Sequence, residues 1–513
     1  EKKMAEMKFY KIQEYVEALR KRGMFASCEL YGKEENVIRN LTYNSKEVSE
    51  DTLFICKGAA FKPVYLREAV GKGAVCYISE KAFELEAEVP YILVKDIREA
   101  MSVLANLFYN NPWEDLRLVG VGGTKGKSTS VYYMKAIVDD YLEAQNKKDS
   151  AVISSIDIYD GKSKVESHIT TPEAVELQQH LRNALDCGME YAQMEVSSQA
   201  LKYHRVDDMK FDVGIFLNIS EDHISPIEHA DFEDYFSSKM LMFGKTKTAV
   251  VNLDADYIDR ILEEAKAAEE VITFSTKDSS ADYFAYHIRK EGNETRFSVK
   301  CEAFDEEFIL TMPGLFNVEN ALGVIAAAVK FGIPKEYIHS GLLRARSSGR
   351  MELYASKDKN ILAIVDYAHN KLSFEKLFSS MKEEYPDYAI VSIFGCPGKK
   401  ALIRRRDLGT VAGQYSKKVY LVAEDPGYEP VEDISEDIAQ YVEAQNCPYE
   451  MIEDRGEAIK AAIESAEGKT LLLVTGKGGE TRQKYGSEYL NCPSDVEYVK
   501  KYLAEYDVRK CEE

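Results

Sequence analysis

Residues 118–129 read LVGVGGTKGKST, and the apolar periodicity of a helix continues from Ser128 to about Asp139. This passage limits the fold more than any other feature of the chain. A strand that runs through a glycine-rich turn straight into a helix fits a mostly parallel sheet with helices on its faces. Gly122, Gly123 and Gly126 let backbone N–H groups approach phosphate oxygens, and the helix N-terminus adds positive potential. Lys127 is placed to reach β- and γ-phosphates, and the Ser128 hydroxyl to hold Mg²⁺. Gly123, Thr124, Lys125, Gly126, Lys127, Ser128 and Thr129 thus form the candidate phosphate cradle. The spacing departs from strict GxxxxGK[ST], because Val121 stands five residues before Gly126. A glycine-rich turn with an incidental lysine is the competing reading.

Short apolar runs alternate with amphipathic stretches on either side of this loop. Strands are expected at 118–122, 151–154, 190–196, 212–217 and 248–253, and a second series at 361–365, 388–394, 418–423 and 470–474. Helical patterns at 434–445 and 456–466 lie within the second series, which reads as a Rossmann-like unit. A smaller α/β piece with strands at 52–56 and 91–94 comes first. With 513 residues, the chain is too long for one ordinary core. The Pro-containing stretch 109–116 and the basic, small-residue stretch 344–350 mark boundaries. The expected fold class is α/β in three domains, at 1–113, 114–346 and 347–513.

Lys and Arg total 66 against 87 Asp and Glu, a formal net charge of −21. That balance argues against nonspecific nucleic-acid binding and against an anionic membrane, so a phosphate-rich ligand requires a local basic site. The nine cysteines form no CxxC pair, and scattered reduced thiols fit a cytoplasmic protein. Apolar runs are strand-sized, below signal-peptide or membrane-spanning length.

The GTxGK[ST] core resembles that of Mur ligases and folylpolyglutamate synthetases, and further segments favour the first. Residues 44–65 (NSKEVSEDTLFICKGAAFKPVY) resemble the N-terminal part of MurE-type enzymes. Segments 170–172 (TTP), 194–201 (MEVSSQAL), 218–223 (NISEDH), 314–322 (GLFNVENAL), 349–352 (GRME), 365–369 (VDYAH), 394–398 (FGCPG) and 475–480 (TGKGGE) follow in the order of that family. The resemblance implies a UDP-sugar-binding N-terminal domain, a central ATP-binding domain and a C-terminal amino-acid-binding domain. It also implies ATP and Mg²⁺ as cofactors, and a reaction in which ATP activates a peptide carboxylate to an acyl phosphate that an amine attacks. The implied acceptor is UDP-N-acetylmuramoyl-L-Ala-D-Glu, and the implied state a monomer.

Residue by residue, Ser128, Glu195 and His223 resemble the magnesium set of the family, and Lys239 its carbamylated lysine, a further metal ligand. Ser45, Thr170, Thr171, Ser197 and Arg205 match acceptor contacts. Asn317 and Asn320 match adenine-side asparagines, and the resemblance implies that Arg350, Asp366 and His369 complete the nucleotide site. Arg405 and Glu480, with Gly476 in the TGKGGE stretch, are expected at the α-carboxylate and α-amine of the incoming amino acid. Taken singly, these threonines and serines would more often be turn and cap residues, and Glu195 a helix-capping or surface carboxylate.

Diaminopimelate-adding relatives carry DNPR, whereas this chain has EDPG at 424–427. Glu424 and Asp425 would attract a lysine ε-ammonium and repel a second carboxylate. L-Lysine is therefore the expected incoming residue. Diaminopimelate, ornithine or a regulatory binding role remain as alternatives. Residues 397–401 (PGKKA) and Gly479, where many relatives have GDRD-like residues and His, are departures from the pattern.

Overall fold

The computed structural model describes residues 7–58, 61–167, 169–220, 229–292, 294–347, 349–399 and 402–512. It divides into two units, Glu1–Phe284 with Leu322–Gly341, and Ala285–Ala321 with Leu342–Glu513. Each strand expected from the sequence forms, with ends within two residues of those expected.

The first unit opens with strands β1 (Phe25–Glu29), β2 (Asn40–Thr42), β3 (Thr52–Ile55), β4 (Ala74–Ser79) and β5 (Tyr91–Val94), in the order β1-β5-β4-β3-β2. All pair in parallel except β1, which runs against β5. Helices Ile12–Lys21 and Ile97–Phe108 lay Tyr15, Leu19, Ala100 and Leu104 onto Leu53, Ile55, Ile78 and Ile92. Asp96 starts the second of these helices by accepting from the Arg98 and Glu99 amides at 2.8 and 3.1 Å.

The central sheet follows with β6 (Arg117–Gly122), β7 (Ala151–Ile153), β8 (Asp157–Tyr159), β9 (Lys164–Glu166), β10 (Tyr191–Glu195), β11 (Phe211–Phe216), β12 (Thr246–Asn252) and β13 (Glu270–Ser275). Its order is β13-β12-β11-β6-β10-β7-β8-β9, parallel from β13 to β7, with β8 and β9 added as antiparallel edge strands. β6 lies between β10 and β11, so the loops leaving all three open at one end. In parallel α/β sheets that is where ligands bind.

In the second unit, β14 (Tyr283–Glu291, from Ala285 onward), β15 (Glu294–Lys300) and β16 (Asp305–Leu310) are successive neighbours in a sheet, and β15 and β16 pair antiparallel. These strands were absent from the sequence reading. β17 (Glu352–Ala355), β18 (Ile361–Asp366), β19 (Ala389–Phe394), β20 (Lys418–Leu421), β21 (Tyr449–Met451) and β22 (Thr470–Thr475) build a sheet ordered β17-β18-β22-β19-β20-β21. Only β17 is antiparallel, which gives the Rossmann-like arrangement expected. A hairpin, β23 (Arg482–Tyr485) and β24 (Glu488–Asn491), stands beyond it.

Two buried ion pairs tie this unit together. The fully buried Glu384 side chain meets Lys290 at 2.8 Å and accepts from the Gly314 and Leu315 amides and from Ser380. Arg455 forks onto Asp495 at 2.6 and 2.8 Å, both side chains nearly free of solvent. Its remaining donors reach the carbonyls of Ala423 and Thr475, which fixes the ends of two neighbouring segments. Among the described residues no helix is long and apolar enough to cross a membrane.

Candidate active site

The loop after β6 folds as its glycines require. Gly123 has φ +138°, and a Cβ there would press on Leu217 and Asn218 at 3.2–3.3 Å. Gly126 has φ +85° and caps the helix Lys127–Glu143. The loop after β11 grips it from the side. The Thr124 amide donates to the Asn218 carbonyl at 3.0 Å, the Lys125 amide to Asn218 Oδ1 at 2.8 Å, and Asn218 Nδ2 back to the Lys125 carbonyl. Thr124 Oγ1 lies 2.9 Å from the Tyr235 hydroxyl and accepts from the Ser220 amide.

Two lysines converge on this loop. Lys127 Nζ donates to the carbonyls of Gly123 and Thr124 at 3.0 and 3.2 Å. Lys239, buried on the helix Phe232–Met240, donates to the same Gly123 oxygen at 2.8 Å, with its ammonium 4.8 Å from the Tyr235 ring centroid. Two ammonium groups therefore share one carbonyl in a largely desolvated place.

Glu195 ends β10 and is 2% exposed. Its Oε1 accepts from the Ser155 amide at 2.8 Å and the Ser155 hydroxyl at 3.0 Å, and Ser155 Oγ lies 3.1 Å from Ser128 Oγ. Ser128 and Glu195 are thus brought together as expected, with Ser155 between them. A carboxylate with two hydroxyls is an oxygen donor set suited to a hard divalent cation. His223 lies outside the described residues.

Thr171 bonds the Glu195 carbonyl at 2.9 Å and receives the Ser197 amide at 3.1 Å, while Ser197 caps the short helix Ser198–Lys202. The cap role foreseen for Ser197 is real. Arg205 Nη1 donates to the Thr171 carbonyl at 3.2 Å, and Nη2 meets Glu173 at 2.8 Å. A cavity of about 240 Å³ is lined by Lys127, Ile169, Thr170, Ser197, Ser198, Gln199, Arg205, Tyr235 and Lys239. Among the described residues three cations and several hydroxyls face it and no carboxylate does, a lining suited to an anion. Ser45 is held elsewhere, donating to Glu68 at 2.8 Å beneath Lys72.

In the second unit, Asn317 and Asn320 are buried in a local chain. Asn317 Nδ2 donates to the Pro313 carbonyl at 2.7 Å, and Asn320 Nδ2 to Asn317 Oδ1 at 2.9 Å. Asp366, at the end of β18, accepts from the Met351 and Ala368 amides. The Arg350 guanidinium lies over the Tyr367 ring at 4.5 Å, and His369 Nδ1 is 2.7 Å from the Tyr367 carbonyl. Burial, then the nearby Glu480 charge, drives the Tyr367 hydroxyl well above its ordinary range.

The segment 424–427 meets the turn after β22. Asp425 is taken up internally: it accepts from Lys477 at 3.0 Å and from the Lys484 amide at 2.8 Å. Lys477 also pairs with Glu480 at 2.5 Å. Glu424 is different, since it is buried and no hydrogen bond to its carboxylate is present among the described residues. Burial raises it, Arg455 and Lys477 pull it back, and the balance leaves it at about 7. Gly476 has φ +101°, a conformation that favours glycine, and a Cβ there would displace the Glu424 carboxylate, whose Oε2 would lie 2.1 Å away. Arg405 is 4% exposed and held by Glu429 at 2.7 Å and Asp437 at 3.0 Å. Its expected grip on a free carboxylate would require those partners to let go.

Ser155, Asn218, Tyr235, Lys477 and Arg455 were missed by sequence reasoning. Ser155 and Arg455 lie in no quoted motif, while Asn218 and Lys477 stand inside NISEDH and TGKGGE without a role having been read for them; Ser155, Asn218 and Arg455 meet their partners through contacts distant along the chain.

The family model for the Mur ligase middle domain matches residues 121–328, and that for the Mur ligase, glutamate ligase domain matches residues 349–478. The UDP-N-acetylmuramoyl-L-alanyl-D-glutamate--L-lysine ligase of Streptococcus agalactiae serotype Ia is 37% identical over 483 residues, 94% of this chain and 96% of that protein. The enzyme of the same name from Streptococcus pneumoniae serotype 2 is 34% identical over 502 residues, 96% and 100% of the two chains. A solved UDP-N-acetylmuramoyl-L-alanyl-D-glutamate--2,6-diaminopimelate ligase superposes with a TM-score of 0.65 at 22% identity, covering 97% of this chain and 99% of its own, and so shares the fold. With two family models in register along a phosphate-loop sheet and a Rossmann-like sheet, and relatives above 30% identity over nearly their whole length, the chain belongs to the Mur ligase family.

Proposed function

We propose that this chain joins L-lysine to UDP-N-acetylmuramoyl-L-Ala-D-Glu, in peptidoglycan precursor synthesis, at the expense of ATP. The observation that carries the reading is the anion-seeking cavity beside the phosphate loop, lined by Lys127, Arg205 and Lys239. The names of the relatives supply the substrates. A division at 113/114 and 346/347 is supported by the separate N-terminal sheet and by β17, which opens the last sheet at Glu352. The absence of a spanning helix among the described residues fits a cytoplasmic setting.

The acceptor's carboxylate oxygen attacks the γ-phosphorus of ATP and ADP leaves. The amine of lysine then attacks the acyl carbon, loses its proton and expels phosphate, which carries away one carboxylate oxygen. Lys127 and the first-turn amides of residues 127–129 hold the phosphates and neutralise charge as it develops, the Thr124 and Lys125 amides being taken by Asn218. Asn317, Asn320, Arg350, Asp366 and His369 are the candidates for the adenosine end. Thr170, Thr171, Ser197 and Arg205 are those for the acceptor's oxygens, with Ser45 for its nucleotide end. Ser128 and Glu195, with His223, would hold Mg²⁺, which when bound supplies charge neutralisation at the phosphates. The meeting of Lys127 and Lys239 at the Gly123 oxygen supports a carbamate on Lys239. That adduct would exchange a like-charge encounter for an opposite-charge pair and add a metal-binding oxygen pair.

Glu424, rather than the internally paired Asp425, is the group with acceptor capacity left for the lysine ε-ammonium. Gly476, Arg405 and Glu480 would shape the α-amino and α-carboxylate end. With its folded value raised from 4.5 to about 7, the neutral form of Glu424 favours the fold below about pH 4.5, and that advantage is lost as pH rises through about 7. Lysine binding requires the ionised form. Phosphate release in the presence of ATP, Mg²⁺ and the acceptor is expected with L-lysine and not with diaminopimelate or ornithine. The KM for lysine is expected to fall between pH 6 and 8 in the wild type, with Glu424→Gln flattening that fall. Release with diaminopimelate alone would refute the specificity. A pH slope that persists in Glu424→Gln would refute the role of Glu424.

A further inference from the structure

Glu173 stands directly after the TTP segment and occupies a place no sequence motif gave it. Its Oε2 lies 2.7 Å from Lys57 Nζ, in the loop after β3, and its Oε1 lies 2.8 Å from Arg205 Nη2. Lys57 also lies 4.6 Å from the Tyr43 ring centroid, and the Tyr43 hydroxyl donates to Glu176. The three charged side chains are 13–22% exposed. One carboxylate thus holds two cations, one from the N-terminal sheet and one that lines the anion-seeking cavity.

The pairing is incomplete in a specific way. A guanidinium binds a carboxylate best through two parallel N–H donors. Glu173 takes one oxygen to each cation and so uses a single Arg205 nitrogen, while Arg205 Nε is buried with no hydrogen-bond partner among the described residues. Glu173 is also the N-cap residue of the helix Ala174–Asp186, yet its side chain makes no cap hydrogen bond. Released from the cations, it has the first-turn amides of its own helix to turn to, a position favourable to a negative charge. Burial alone would raise its carboxyl, but the Lys57 hydrogen bond and the Arg205 charge hold it below its ordinary value, as expected of an anion in a cationic cradle.

We infer that Glu173 is a place-holder: its carboxylate occupies a cradle formed by Lys57 and Arg205, and a carboxylate of the acceptor peptide displaces it. The inference rests on the acceptor named under the proposed function. It makes Lys57 an acceptor-binding residue and Glu173 a brake on acceptor affinity. A purely structural tie between the N-terminal and central sheets predicts the opposite sign, because loss of the tie would loosen the cradle.

The test is calorimetric titration of the full-length protein with UDP-N-acetylmuramoyl-L-Ala-D-Glu, without ATP or lysine, for the wild type, Glu173→Gln and Lys57→Met. Glu173→Gln keeps the side-chain shape and removes the competing charge. Its Kd is expected to fall about 3- to 10-fold, at most about 1.4 kcal/mol, and its steady-state KM for the acceptor to fall in step while the KM for lysine stays put. Lys57→Met is expected to raise the Kd about 10-fold, a fraction of the effect of removing a buried charged partner. Melting curves identify any variant that fails to fold, and the other variant then decides. A Glu173→Gln protein that binds no tighter than wild type, or a Lys57→Met protein that binds equally well, overturns the place-holder. Wild-type protein that binds none of the nucleotide overturns the acceptor assignment itself, which separates the two failures.

Discussion

Replacing Lys127 by alanine is expected to lower lysine-dependent phosphate release by roughly 10³-fold, the scale of losing one preorganised donor to developing charge. Lys127 is the first residue of the helix Lys127–Glu143; its ammonium bonds the loop carbonyls of Gly123 and Thr124, and its side chain lines the cavity. Those bonds are the ones a phosphate would replace. The loop's shape does not depend on them, because Asn218, Ser220 and the Gly123 and Gly126 backbone hold it independently. The melting temperature is therefore expected to stay close to that of the wild type while turnover collapses. Phosphate release measured with all substrates saturating checks this, and a variant that retains a tenth or more of the wild-type rate would remove Lys127 from the chemistry.

Asp495→Ala is expected to show the largest loss of stability, about 3–5 kcal/mol, because it leaves the Arg455 guanidinium buried without its counter-charge. The damage would not be confined to stability. Arg455 also holds the carbonyls of Ala423 and Thr475, the residues immediately before Glu424 and Gly476. With Arg455 released, the two segments proposed to flank lysine lose a shared anchor, so the KM for lysine should rise more than the KM for ATP. Urea unfolding followed by steady-state kinetics measures both. An unfolding midpoint equal to that of the wild type would contradict the account of the buried pair.

The parts of this molecule legible in the sequence share one property: their constraint is local. The β6–loop–helix passage had to place glycines beside a lysine and a serine within a few residues, so its geometry was written in spacing. Glu195 could be placed at a strand end because the apolar run of β10 stops there. Ser155 was invisible, since it reaches Ser128 from 27 residues away and serine in a loop carries no pattern. Lys57 and Glu173 were hidden for the same reason, as a lysine after β3 and a glutamate before a helix are ordinary until the fold brings them to 2.7 Å.

The strands β14–β16 escaped because their exposed face is charged. In YFAYHIRKE only Tyr283 and Ala285 are buried, and the strand ends in the consecutive charges Arg289, Lys290 and Glu291, which read as loop when the partner strand is unknown. Arg405 shows the converse difficulty. Its position in the sequence resembles a carboxylate-binding arginine, but the fold supplies Glu429 and Asp437 to satisfy it. Of the two acids in the 424–427 segment, only the structure separates Asp425, paired with Lys477, from Glu424, buried with no hydrogen bond to its carboxylate among the described residues.

The central claim is that the cavity beside the phosphate loop activates a carboxylate by phosphoryl transfer before the amide forms. The most direct test uses UDP-N-acetylmuramoyl-L-Ala-D-Glu with ¹⁸O in the reacting carboxylate, incubated with ATP, Mg²⁺, L-lysine and the protein. The account predicts one ¹⁸O atom in each phosphate released and one in the new amide. Amide product accompanied by unlabelled phosphate would contradict it, because the acceptor's oxygen would then never have been bonded to phosphorus.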